Sequence, residues 1–457
     1  MSTQVSTTPS SEPPKVAEPN NREAIIFIPG IGRAWDDPMI EGVARRIATA
    51  IDRQSITEKA KAVVETAEQE YGVGYKCKMF TIVKKDGQEE RPLIDVFGLD
   101  YNDTLVESYA NRPLFMKIIM LALTMFDSFI RLIFRFYKPG KGWKEKIQLF
   151  YGFLISGLLV AYFVILLAAV IASFEQLRNI AQKNAPVAQQ SQAGMLQAPS
   201  SGIKSFLGAA WGGIKNIYQR SKHVFTALIV LLTAIGFVLP PKAKLKENIS
   251  VAATNYLCLI HYLNWGERSH AIGGKLESLL EFVVEREPRY ERIHIVGYSF
   301  GSIVAIDNLF TVGRKPIDRF RRINTLVTIG CPFDMIRTYW PGYFQDRQSL
   351  SADAPSWLNV YSPIDVLSSN FADGGNEQPV QASWSENDVG VQVDGQLRKP
   401  DCIMFSQGSY QGLGVIDILT LTGFKAHSLY WGETVRGEIT CFHDVVKRMY
   451  HDTPVLN

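Results

Sequence analysis

The chain has 457 residues, too many for one compact core, so a domain interrupted by an insertion is the first expectation. Its formal net charge is +3, and no block of Lys and Arg is interleaved with aromatics, which argues against nucleic acid as a partner. Cys77, Cys258, Cys331, Cys402 and Cys441 are scattered and form no Cys-x-x-Cys pair, so they read as buried, reduced thiols rather than a zinc cluster or disulfide framework.

Residues 1–22 are rich in Ser, Thr, Pro and Glu and lack a basic start followed by an apolar core. They read as a disordered tail, not a secretory signal. Ala24 to Ile28 is a short apolar run ended by Pro29 and Gly30, the pattern of a buried parallel strand. From Pro38 to Asp52, Met39, Val43, Ile47 and Ile51 recur at helical spacing. Cys77 to Val83 and Pro92 to Asp100 read as two more strands. Strands alternating with helices point to an α/β sheet, with residues 23–112 as the first half of one domain.

The composition then changes, and residues 113–241 read as a membrane insertion. Leu149 to Phe174 has no charged residue and exceeds the roughly 20 residues that cross a bilayer as a helix. The stretch 223–239 is a second expected span, with a buried core helix as its alternative. Within Leu114 to Phe136, a helical projection places Lys117, Thr124, Ser128, Arg131 and Arg135 on one face, with apolar residues filling the rest. That pattern predicts a helix lying in the bilayer interface, its cations towards headgroups; a third span is the alternative. The Gln-, Ala- and Ser-rich stretch from Ala185 to Gly202 reads as a flexible loop.

The soluble pattern resumes over residues 242–457, expected as the second half of the domain. Gly273 to Glu287 is an amphipathic helix. Ile293 to Val296 is a strand running into Gly297-Tyr298-Ser299-Phe300-Gly301, and a helix follows from Ser302 to Leu309. Strands are expected at Thr325 to Ile329, Asn359 to Tyr361 and Cys402 to Phe405, and a loop from Ala372 to Lys399. If both halves build one sheet they share one side of the membrane, which favours two spans plus an interfacial helix. Lys and Arg flanking the spans, from Arg131 to Lys146 and from Lys242 to Lys246, place that side in the cytoplasm.

Alone, a Gly-x-Ser-x-Gly string is weak evidence. Between an apolar strand and an apolar helix it fits a nucleophile elbow: a sharp turn holds Ser299 exposed, and small neighbours let the backbone pass closely. A nucleophilic serine needs a base. His427, after the last expected strand, is the candidate; His443, in a helical pattern, and His451, near the chain end, are the alternatives. The imidazole needs an acid to hold its tautomer, and Asp365, just past the strand ending at Tyr361, fits that place. Asp373 and Asp334 are the other choices. For the oxyanion hole, backbone N–H groups are expected from Phe300 and from Ile31, whose neighbours Gly30 and Gly32 shape the loop after the first strand.

Together these segments resemble the α/β-hydrolase superfamily, in its lipase- and esterase-like branches. Phe27 to Gly32 is similar to the oxyanion loop, Val296 to Ser302 to the elbow, and Thr328 to Pro332 to a Gly-Ser-Pro stretch, with Cys331 in the serine place. Val360 to Asp365 and Ala426 to Trp431 resemble the acid and histidine segments. The likeness covers residues 23 to 107 and 248 to 450. It implies an α/β-hydrolase fold, a mostly parallel sheet with helices on both faces; the apolar stretches interrupt it with a helical transmembrane insertion that departs from the usual family pattern. It further implies a serine esterase with Ser299, Asp365 and His427 as triad and no cofactor or metal; together with the insertion, the expectation is a membrane-anchored enzyme with a lipid bilayer and a lipid-like or acylated substrate as partners. Two other outcomes fit the same residues: an acyltransferase, or a membrane-bound interaction or sensor protein that no longer turns over.

Overall fold

The computed structural model describes residues 22–31, 37–54, 61–107, 254–371, 390–405, 426–431 and 440–449 apart from short gaps, with Gly423 and scattered positions between 109 and 176. The architecture is mixed α/β.

Strand β1 (Glu23–Ile28) is buried along its whole length. Successive side chains of a strand leave on opposite faces, and both faces are covered here. Ile25 and Phe27 enter one core, while Ala24, Ile26 and Ile28 enter the other. The first core includes residues of α1 (Asp37–Gln54) and α5 (Phe442–Met449). The second includes α2 (Glu267–Glu285), α3 (Phe300–Leu309) and helical residues 254–264.

Eight strands form the main sheet. The others are β2 (Lys61–Tyr71), β3 (Tyr75–Asp86), β4 (Glu89–Gly98), β5 (Arg292–Tyr298), β7 (Ile323–Ile329), β9 (Ser356–Tyr361) and β12 (Asp401–Met404). Their order is β12-β9-β7-β5-β1-β4-β3-β2. Strand β1 pairs in parallel with β4 on one side and β5 on the other. Strands from before and after the insertion therefore share one sheet. Its pairings are parallel from β12 to β4 and antiparallel from β4 through β3 to β2, so the sheet is only partly parallel. A second sheet, in the order β11-β10-β8-β6, joins β6 (Thr311–Val312), β8 (Arg347–Gln348), β10 (Val391–Val393) and β11 (Gln396–Arg398). The last helix before β9 is α4 (Phe333–Tyr339).

The expected membrane architecture is corrected. Among the described residues no helix is long and apolar enough to cross a membrane, which overturns the transmembrane insertion and the multi-pass placement. The two stretches expected as spans, 149–174 and 223–239, lie outside the described residues apart from a few positions near 150–157, as do the loop 185–202 and the tail 1–21.

The expected interfacial helix 114–136 is helical at its described positions, but its polar face turns inward. Thr124 and Ser128 are buried, and the Ser128 and Tyr256 hydroxyls lie 2.7 Å apart. Arg131 donates to the Tyr339 carbonyl at 2.8 Å and sits over the Trp340 ring. Met116, Ile119 and Leu123 of the same segment are exposed. A polar stripe shows that a helix has two faces; which one points to protein depends on the partners it meets, here hydroxyls, a carbonyl and an indole. Lys117 and Arg135 lie outside the described residues.

Candidate active site

The chain turns from strand to helix at Ser299 within one residue. Tyr298 ends β5 and Phe300 begins α3, and Ser299 between them has φ 53° and ψ −123°. A side chain in this region costs on the order of 1–3 kcal/mol and persists only where neighbours impose it. Three hydrogen bonds do so. Ser299 N–H donates to the Ile329 carbonyl at 2.8 Å, Ser302 N–H to the Ser299 carbonyl at 3.0 Å, and Ser302 Oγ to the Gly297 carbonyl at 2.8 Å.

The flanking glycines are required by contact. A Cβ on Gly297 would lie 2.7 Å from Ser302 Cα, and one on Gly301 would collide with the carbonyl oxygens of Ile28 and Pro29. The elbow is thereby pressed against the turn after β1. On the other side of that contact, a Cβ on Gly30 would stand 3.1 Å from Ser299 Cβ. Tyr101 fixes the turn by donating its buried hydroxyl to the Pro29 carbonyl at 2.7 Å. Ile31 follows at the end of the described turn, and residues 32–36 lie outside it. The other expected oxyanion donor, Phe300, is the first residue of α3, a position whose N–H has no intrahelical partner; no side chain caps this helix.

Asp365 is fully buried in the turn after β9. Its Oδ1 accepts the Leu367 N–H at 2.9 Å. Its Oδ2 accepts both the Tyr430 hydroxyl and His427 Nδ1–H, each at 2.8 Å. The Tyr430 hydroxyl in turn accepts the Ser362 N–H at 3.0 Å. Burial first, and Asp365 second, hold the pKa of Tyr430 far above that of an ordinary phenol, so it stays a donor.

His427 lies in the 3-10 turn Ala426–Trp431, which is anchored by buried Tyr430 and Trp431. Its ring stacks on Tyr298 with centroids 5.3 Å apart, and the Tyr298 hydroxyl donates to its carbonyl at 2.7 Å. Gly330, at φ 61°, gives the ring room: a Cβ there would sit 3.0 Å from His427 Cε1. Gly330 directly follows Ile329, whose carbonyl holds the Ser299 N–H. The ring is thus tied to the residue before the nucleophile and packed beside the strand that positions it. Its Nε2 is buried and makes no hydrogen bond in this structure. In unliganded serine enzymes the base–nucleophile contact is often long and tightens with substrate.

The alternatives fall elsewhere. His443, on α5, places Nε2 3.1 Å from the Arg53 guanidinium. Asp334 accepts the Ser369 hydroxyl at 2.7 Å. Asp373 and His451 lie outside the described residues. Sequence reasoning did not find Tyr430, Tyr298, Gly330 or Tyr101. Tyr430 stands three residues after His427, where an aromatic pair reads as packing, and nothing in sequence ties Tyr101 to Pro29. No protein-family model, curated protein or solved structure matches the chain.

Proposed function

We propose that the protein is a serine hydrolase that cleaves carboxylic esters through an acyl-enzyme on Ser299, in the manner of the α/β-hydrolase superfamily. One observation carries this reading: a serine held at positive φ between β5 and α3, directly after a tyrosine on which stacks a histidine whose Nδ1 is bonded to a buried carboxylate. Serine oxygen is a weak nucleophile until a base takes its proton. In this scheme Ser299 Oγ attacks the acyl carbon while His427 Nε2 accepts the proton. Asp365 holds the imidazole tautomer and offsets the charge that forms on it. The N–H groups of Phe300 and Ile31 receive the oxyanion. The C–O bond then breaks, His427 returns its proton to the departing alcohol, and water attacks the acyl-enzyme by the same route. The substrate is an acylated compound, and the scheme uses neither cofactor nor metal.

A fluorophosphonate probe tests the proposal. The wild type should label covalently, Ser299→Ala should not, and His427→Ala should label at least about 100-fold more slowly. An unlabelled wild type, or equal labelling of Ser299→Ala, would falsify it. A catalytically silent interaction protein gains support from one observation, the absence of a hydrogen bond at His427 Nε2; an inert wild type is the outcome that reading requires.

A further inference from the structure

At the far end of α3 from Ser299, a cleft of about 370 Å³ opens between the first half of α2 and the last turn of α3. Tyr262 of the segment 254–264 and Arg347 at the start of β8 complete its walls. Tyr262, Asn308 and Arg347 are buried, Asp307 is half-buried, and His270 and Val312 stand exposed at its mouth. Clefts of this size hold small organic molecules.

The back of the cleft is a fixed polar network. Asp307 Oδ2 accepts the Tyr343 hydroxyl at 2.7 Å, and its Oδ1 lies 2.8 Å from Arg347 Nη2. Arg347 is also held by the backbone, donating to the Phe310 carbonyl at 2.7 Å and the Tyr343 carbonyl at 3.0 Å. Its guanidinium sits over the Tyr343 and Phe344 rings. Burial first, and Asp307 second, hold the pKa values of Tyr262 and Tyr343 far above that of an ordinary phenol, so both stay protonated. Next to Asp307 on α3, Asn308 Nδ2 donates to the Val304 carbonyl at 2.8 Å, which leaves Oδ1 on the side of Gly273. A Cβ at Gly273 would stand 2.8 Å from that oxygen, so glycine keeps it uncovered.

Charge and polarity together select the ligand. The charges are matched, Asp307 with Arg347 inside and Arg314 at the mouth with Glu277 of α2 at 3.0 Å. A charged ligand would bring an unmatched charge into a half-buried place. A purely apolar ligand would cover the Asp307 and Asn308 oxygens without giving them a donor. An ionised carboxylate accepts about four hydrogen bonds, so Asp307 can hold its present partners and still receive a ligand hydroxyl. Leu263 and Val312 add apolar surface beside these oxygens. We propose that the cleft binds a small neutral polyhydroxylated ring, a sugar or cyclitol. Its hydroxyls donate to Asp307 and to Asn308 Oδ1, and its C–H groups rest on Leu263 and Val312. A brace with only a structural task would be closed to water, whereas the Asp307 side chain keeps 14% of its surface exposed. The site is separate from Ser299 and does not depend on the hydrolase reading.

The test is a saturation-transfer NMR titration of the full chain with D-glucose and with myo-inositol. Two charged copies of the sugar ring, D-glucosamine as its ammonium and D-glucuronate, are titrated beside them. At least one neutral ring should bind saturably, and the one that does identifies a sugar or a cyclitol. Each charged ring should bind at least about tenfold more weakly than that neutral one. Ser269→Trp, at the partly exposed edge of the cleft, should fill it and abolish binding while leaving the Asp307 network intact. Asp307→Asn leaves the Arg347 charge unmatched and should turn the preference to glucuronate. If that variant does not fold, Ser269→Trp and the charged rings decide. The proposal is overturned if neither neutral ring binds, if a charged ring binds as tightly as the neutral one, or if Ser269→Trp binds undiminished. A folded Asp307→Asn that still prefers the neutral ring would overturn it as well.

Discussion

Strain at Ser299 is sustained by residues that themselves do no chemistry. Gly301 is the tightest of them, because its Cα passes against the Ile28 and Pro29 carbonyls. Gly301→Ala should therefore force β1 and α3 apart and cost about 1–3 kcal/mol, as overpacking does elsewhere. Urea unfolding would read this as a lower midpoint at unchanged slope, and a midpoint equal to wild type would show that the elbow is looser than these contacts. Tyr430 makes a different contribution. Its hydroxyl and the His427 ring share one oxygen of a carboxylate that water does not reach. Removing the hydroxyl in Tyr430→Phe leaves that oxygen one donor short, and the Ser362 N–H without its acceptor. A loss of about 1.5–3 kcal/mol in stability is expected. The rate of fluorophosphonate labelling should fall with it, since the imidazole is less firmly held; a purely structural tyrosine would lower stability and leave labelling of the folded protein unchanged. Ser299, His427 and Asp365 stood out in the sequence because elbow, base and acid each follow a strand. Tyr430 and Tyr298 did not, because an aromatic side chain that packs and one that orients a catalytic group look alike until the third dimension is known.

At the level of elements, strands with one-sided or wholly apolar patterns could be read directly. Strands β1, β5 and β7 each appear within a few residues of the apolar runs that announce them. Strand β2 was missed because its run, Lys61 to Tyr71, alternates with Glu and Gln at a sheet edge and has no apolar run to mark it. The hairpin of β10 and β11 was missed for another reason. Asp394 and Gly395, with φ 50° and 76°, form the tight turn that Asp-Gly favours between strands. That signal was present within a stretch whose polarity suggested loop. The segment 114–136 carries the larger lesson, since its polar face packs against protein. Ser128→Val should then leave the buried Tyr256 hydroxyl without its partner and cost about 1–3 kcal/mol. Leu123→Gln, at a position 60% exposed, should change stability by less than about 0.5 kcal/mol. Paired unfolding curves for these two variants decide which face is inside. The opposite order of effects would return the apolar face to the interior.

For the molecule as a whole, the cationic cluster around His261 couples folding to pH. Its pKa is pushed from 6.5 down to about 4, first by burial on the 254–264 segment, then by Arg268 of α2 and by Arg112. Above pH 6.5 the imidazole is neutral both folded and unfolded, and contributes no pH dependence. As pH falls below 6.5 the unfolded chain binds a proton that the folded chain refuses until about pH 4. Stability should therefore decline across that interval and level off below it. The full loss from this one group is on the order of 3 kcal/mol. His261→Asn keeps a polar side chain of similar size without the titration, so its stability curve should be flatter than wild type between pH 6.5 and 4 and parallel to it above. Curves that stay parallel throughout would remove His261 as the source.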